Sequence, residues 1–77
     1  MPEAGLEADM LKAHDAGDLS ALVQLYTKAA NLAETKGAID RACFFLTHAY
    51  VFALEARDPM ADELKARLVA HGREVAT

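Results

Sequence analysis

The chain of 77 residues contains no tryptophan, one cysteine, two prolines and four glycines. One cysteine cannot cross-link a fold internally, and the usage suits a reducing compartment. Aromatic residues are few, three Phe and two Tyr. Ala and Leu dominate instead, which favours helix over sheet. Nothing alternates with period two, and no Asn-Gly or Asp-Gly pair offers a hairpin turn. A basic excess is also missing: 8 Lys and Arg against 12 Asp and Glu give a formal charge of -4. That balance, with its scattered cations, argues against a nucleic-acid partner. No hydrophobic run is long enough for a membrane. The most apolar stretch, 42–54, has 13 residues without a charge, whereas a spanning helix needs about 20. Met1-Pro2-Glu3-Ala4 is not a basic leader region, and no apolar segment follows it. The expectation is a soluble cytoplasmic protein with no membrane association.

What the chain does have is a high apolar content, 53%, which excludes intrinsic disorder. Its length supports a single helical domain over 1–77. A chain this short buries only about 60–65% of its unfolded surface, so each packed side chain matters. Punctuation divides it into four helices at roughly 4–15, 18–36, 39–57 and 59–72. Asp18 follows Gly17 as an N-cap candidate, Lys36-Gly37 suits a helix end, and Asp58-Pro59 suits a cap and first turn.

Faces follow from 100° steps along each helix. Helix two carries the apolar stripe Leu19, Leu22, Val23, Tyr26, Ala29, Ala30 and Ala33, with Ala21, Leu25 and Leu32 as a weaker second stripe. Helix three carries Ala42, Phe45, Leu46, Ala49, Ala53 and Ala56, and opposite them Cys43, Phe44, Thr47, Val51 and Leu54. It is apolar nearly all round and needs cover on more than one side. Helix one offers Leu6, Met10 and Ala13, and helix four the seam Ala61, Leu64 and Leu68. The architecture expected is all-α: four antiparallel helices, as a helical hairpin with flanking helices or a small four-helix bundle.

An internal match supports the hairpin form. Ala13-His14-Asp15-Ala16-Gly17-Asp18 lies over Ala53-Leu54-Glu55-Ala56-Arg57-Asp58 at a shift of 40, and in both copies the segment ends one helix and caps the next. With Leu22, Tyr26, the run Ala29-Ala30-Asn31-Leu32-Ala33-Glu34 and the small residues Ala42, Ala49 and Ala53, these features resemble the tetratricopeptide-like superfamily in a longer-repeat form. The resemblance covers roughly residues 13–72. It departs from the 34-residue consensus in lacking the leading Trp and in its longer inner helices. It implies protein–protein binding by stacked helices, without catalysis.

Site chemistry is sparse. His14, His48 and His71 fall on three different predicted helices, and none pairs with a carboxylate or Cys in a ligand pattern. Cys43 and His48 stand about 140° apart around their helix. No metal site or cofactor is expected, and surface or boundary roles suit the histidines better. Cys43 lies among Ala42, Phe44 and Phe45, which suits an inert, partly buried thiol rather than a reactive one. The carboxylate pairs Asp15/Asp18, Glu55/Asp58 and Asp62/Glu63 sit at helix ends, where capping and the helix dipole account for them. No phosphate loop, Ser/His/Asp set or Cys-x-x-Cys occurs, so enzymatic activity is not expected.

The expected function is a non-catalytic interaction module acting through Leu25, Leu32, Phe44, Thr47, Val51 and Leu54. Its partner is a protein or a second copy, most simply in a homodimer. The alternative is a bundle that senses a small apolar ligand between helices two and three. Tyr26, Phe44 and Phe52 would form its walls, and Thr47 and Tyr50 would supply polar groups.

Overall fold

The structure, a computed structural model, describes residues 2–73, with side chains from residue 5 onward. The reading of residues 1–4 as a non-basic segment lies outside the described side chains. Four helices follow one another: α1 (Pro2–Ala16), α2 (Leu19–Thr35), α3 (Ile39–Ala56) and α4 (Met60–Ala70). The described residues contain no strand, so the chain is all-α.

The same corner closes every helix. At the end of α1 the Gly17 amide donates to the His14 carbonyl and the Asp18 amide to that of Ala13. Ala33 to Ala38, Ala53 to Asp58 and Leu68 to Arg73 repeat this pair of bonds. Such a corner satisfies carbonyls that the helix leaves open, and it needs one residue in the left-handed region. Gly17, Gly37 and Gly72 fill that position at three corners, at φ 64, 74 and 78°; at the third corner it is Arg57, at φ 55°. Gly17, Gly37 and Arg57 are spaced twenty residues apart, so equivalent corners recur after two helices at the shift of 40 seen in the sequence. Asp18 Oδ1 accepts from the Ala21 amide at 3.1 Å as the N-cap of α2, and Asp58 Oδ1 accepts from the Met60 amide at 2.9 Å across Pro59, the residue that stands at the N-cap of α4.

Arg57 holds its backbone where a Cβ is costly. Arg57→Gly should therefore raise stability, by up to about 1 kcal/mol after the added freedom of the unfolded chain is offset. Chemical denaturation checks this, and an unchanged or lower midpoint contradicts it.

Packing is sequential. Residues of α2 and α3 make the largest interface, α1 packs on α2, and α4 packs on α3. No Cα of α1 comes within 8 Å of one in α3 or α4. The helices therefore form an open succession, and α1 and α4 do not close a ring. The resulting body is flat, 31 × 29 × 15 Å. Ala30, Ala42, Ala49 and Ala53 are fully buried where α2 and α3 meet, and small side chains at a crossing allow close approach of the axes. Val23, Leu46, Leu64 and Leu68 are the largest fully buried side chains.

The expected stripe of α4 lies inside, and so does that of α2 apart from Leu19 and Tyr26, which are half-buried. Leu22, Val23, Ala29, Ala30 and Ala33 are buried on α2, as are Ala61, Leu64 and Leu68 on α4. One assignment on α3 is corrected. Periodicity groups Cys43 with the outward face and makes Tyr50 a candidate polar group for a ligand pocket; both are instead buried in the core that holds Leu64 and Leu68. The cause is that α3 is buried against two neighbours: α2 and α4 both pack on it, and one broad sector of α3 serves both.

Side chains tie together helices whose backbones do not meet. Glu34 on α2 accepts from Arg67 and pairs with His71 Nε2, both at 2.6 Å, and Arg67 also donates to Asn31 Oδ1 at 2.7 Å. These bonds clasp α4 to α2 across the edge of α3. Arg73 pairs with Asp40 beside it.

Candidate functional site

With Cys43 and Tyr50 turned inward, the outward sector of α3 is narrow and well defined. Phe44, Val51 and Leu54 are 57%, 45% and 51% exposed, and Thr47 between them is also exposed. Their spacing places them on one face along three turns. The Thr47 hydroxyl is turned back to donate to the Cys43 carbonyl at 2.8 Å, so this face presents the methyl of Thr47 with little hydrogen-bonding capacity of its own. Asp40 and Glu55 are exposed at its two ends.

The six residues singled out from sequence do not form one surface. Phe44, Thr47, Val51 and Leu54 share the face just described. Leu25 and Leu32 are half-buried, because α1 sits on α2 beside them. Leu25 borders a shallow hollow with Asp9, Lys12 and Ala13 of α1. Leu32 lines a groove that also reaches Phe44, so the structure brings Leu32 and Phe44 together and sets Leu25 apart.

That groove runs between α1 and α3. Leu6, Glu7 and Met10 of α1 form one wall, and Arg41, Phe44 and Phe45 of α3 form the other. Its floor is α2, through Tyr26, Ala29, Leu32, Ala33 and Lys36, and it holds about 300 Å³. Toward the C-terminal end of α1 the two walls are joined by rings. His14 Nε2 and the Tyr26 hydroxyl share a hydrogen bond of 3.0 Å, and the His14 ring meets Phe52 edge-on at 5.7 Å. His48 lies parallel to Tyr26 at 5.4 Å and against Phe44 at 4.5 Å, while its Nδ1 donates to the Phe44 carbonyl at 2.9 Å.

Each histidine thus has a contact that its sequence position does not signal: His14 and His48 join the ring cluster, and His71 pairs with Glu34. No three His, Cys, Asp or Glu side chains converge as a metal site among the described residues. Cys43 is buried at 4% exposure. Among the described residues no helix is long and apolar enough to cross a membrane. No protein-family profile, curated protein or solved structure matches the chain.

Proposed function

We propose that the protein is a non-catalytic helical interaction module that associates through the outward face of α3, most simply with a second copy of itself. The observation that carries this reading is the row Phe44, Thr47, Val51 and Leu54, apolar along three turns and about half exposed at each large side chain. Folded monomers seldom leave a contiguous apolar patch of this kind in water, and such patches mark interfaces. Burying what remains exposed of Phe44, Val51 and Leu54 contributes on the order of 1 kcal/mol for each side chain. A two-fold axis would set the row against itself, so one patch serves both copies. A different protein with a complementary apolar ridge would occupy the same row.

The open succession of helices and the corner recurring after two helices support the tetratricopeptide-like reading of the chain. Helical repeats of that architecture bind proteins on surfaces their stacking leaves uncovered. A reducing, cytoplasmic setting fits the lone buried Cys43.

Val51→Glu tests the proposal, because it places a charge at the middle of the row without touching the core. Light scattering on the unmodified protein should show a mass above the monomer, and Val51→Glu should return it to the monomer with unchanged helix content by circular dichroism. A monomer at all concentrations, with no partner whose binding Val51→Glu weakens, would overturn it.

A further inference from the structure

The apolar row of α3 has the spacing of a coiled-coil seam. Phe44, Thr47, Val51 and Leu54 follow one another at intervals of three, four and three residues, the a/d pattern by which two helices interlock side chains. Beside the row, Arg41, His48 and Glu55 recur every seven residues and so form one flank of the seam. The other flank holds Cys43 and Tyr50, which are buried in the core with Leu64 and Leu68 of α4. Accessible charge along the row thus lies on the first flank.

That flank is polarised from end to end. Arg41 lies in the first turn of α3 and Glu55 is its next-to-last residue, about 21 Å apart along the axis. Both side chains are exposed, and neither is paired among the described residues. His48 between them is turned aside: it stacks on Tyr26 of α2, and its Nδ1 is bound to the Phe44 carbonyl. Asp40, at the start of the row, is neutralised by Arg73. Arg41 and Glu55 also stand at the unfavourable ends of their own helix, a cation over its positive N-terminus and an anion over its negative C-terminus.

A second copy laid antiparallel along the row offsets both. A two-fold axis perpendicular to α3 reverses the order of residues and brings like flanks together. With Phe44 against Leu54 of the second copy and Thr47 against its Val51, Arg41 falls beside Glu55 of the second copy, and Glu55 beside its Arg41. Each charge then also faces the helix end of opposite sign in the other copy. A parallel pair would turn this flank toward the other copy's α4 and leave both charges without these partners. From the seam spacing and the oppositely charged ends of its flank, we infer that the row is covered by a second copy of this chain in antiparallel register, held by Arg41–Glu55 ion pairs in both directions. The inference rests on the association proposed above and adds to it the partner, the orientation and the residues that select them.

Sedimentation equilibrium of the full chain, of two charge-reversed variants and of their mixture tests this. Arg41→Glu and Glu55→Arg each set like charges together twice per dimer, and each should raise the dimer dissociation constant about tenfold with unchanged helix content. An equimolar mixture of the two variants should recover it to within about threefold of the parent, because both pairs regain opposite charges in a mixed antiparallel dimer. Salt at about 0.5 M should shrink these differences. Suppose instead that Val51→Glu abolishes association while the single variants change nothing, or their mixture recovers nothing. The row would then stand as an interface and the antiparallel pairing would be overturned. A parent that stays monomeric up to about 1 mM would overturn the pairing together with self-association through the row.

Discussion

Leu46→Ala is expected to lower the unfolding free energy by about 2–5 kcal/mol, the range for removing a fully buried leucine where the surroundings cannot collapse. Leu46 has no exposure and belongs to the core formed with Val23 of α2 and Leu64 and Leu68 of α4. It stands in the sector of α3 shared by both neighbours, so a cavity there loosens both contacts of that helix. A chain of 77 residues has a total stability of roughly 4–12 kcal/mol, so the variant gives up a large fraction of it and should unfold at a much lower denaturant concentration than the parent. Leu11, on α1, is 66% exposed, and Leu11→Ala should stay within about 0.5 kcal/mol of the parent. Denaturant titrations of the two variants read the difference directly. Similar costs at both positions would contradict the placement of Leu46 in the core between α2, α3 and α4.

The second large effect lies in the clasp of α4 onto α2. His71 is the leading cause that holds the Glu34 carboxyl below the ordinary glutamate range, with Arg67 acting in the same direction and burial opposing both. The folded state therefore binds a proton at Glu34 less readily than the unfolded chain does. The stability that follows is fully present above the ordinary glutamate range, and it is lost as the pH falls through the lowered folded value. Glu34→Gln keeps the shape but removes the charge. It should cost on the order of 1 kcal/mol at neutral pH, since the groups are partly exposed and screened by solvent. It should also flatten the decline in stability on acidification. Thermal or urea unfolding of the parent and Glu34→Gln across the acidic range checks both points. Parallel pH profiles for the two proteins would show that the clasp contributes nothing to the acid response.

Helix ends and buried stripes are legible in the sequence for local reasons. Gly17, Gly37, Asp18 and the pair Asp58-Pro59 each carry a conformational or capping preference that acts within a turn. Apolar spacing on α2 and α4 then identifies Leu22, Val23, Ala30, Leu64 and Leu68 as inward. On α3 local patterning ceases to decide. Cys43 and Phe44 are neighbours with comparable apolar character, yet one is buried and the other is 57% exposed. Their difference depends on where α4 lands, and that follows from the corner at Arg57. The alignment of Arg57 with Gly17 marks the corner, but an arginine does not by itself announce a left-handed backbone, since glycine is the usual occupant.

Tertiary pairs are equally invisible. Glu34 meets Arg67 and His71 across 33 and 37 residues of chain, and no local pattern links them. His14 and His48 read as unrelated boundary residues, and Tyr26 as part of the inward stripe of α2, until the fold brings their three rings together. The groove is lined from α1, α2 and α3 together, a meeting of three helices that side-chain periodicity does not encode.

On the proposed function, the row Phe44, Thr47, Val51 and Leu54 is a surface covered by another molecule, in the simplest case a second copy. A dilution series followed by residue-resolved amide chemical shifts tests it most directly. If two copies meet along the row, dilution from millimolar to low micromolar protein shifts the amides of Phe44, Thr47, Val51 and Leu54 along one saturating curve. Those of Leu22 and Leu64 in the core stay in place, and Val51→Glu removes the concentration dependence. Amides along this row that do not move over that range, in a protein that remains associated through another surface, would contradict it.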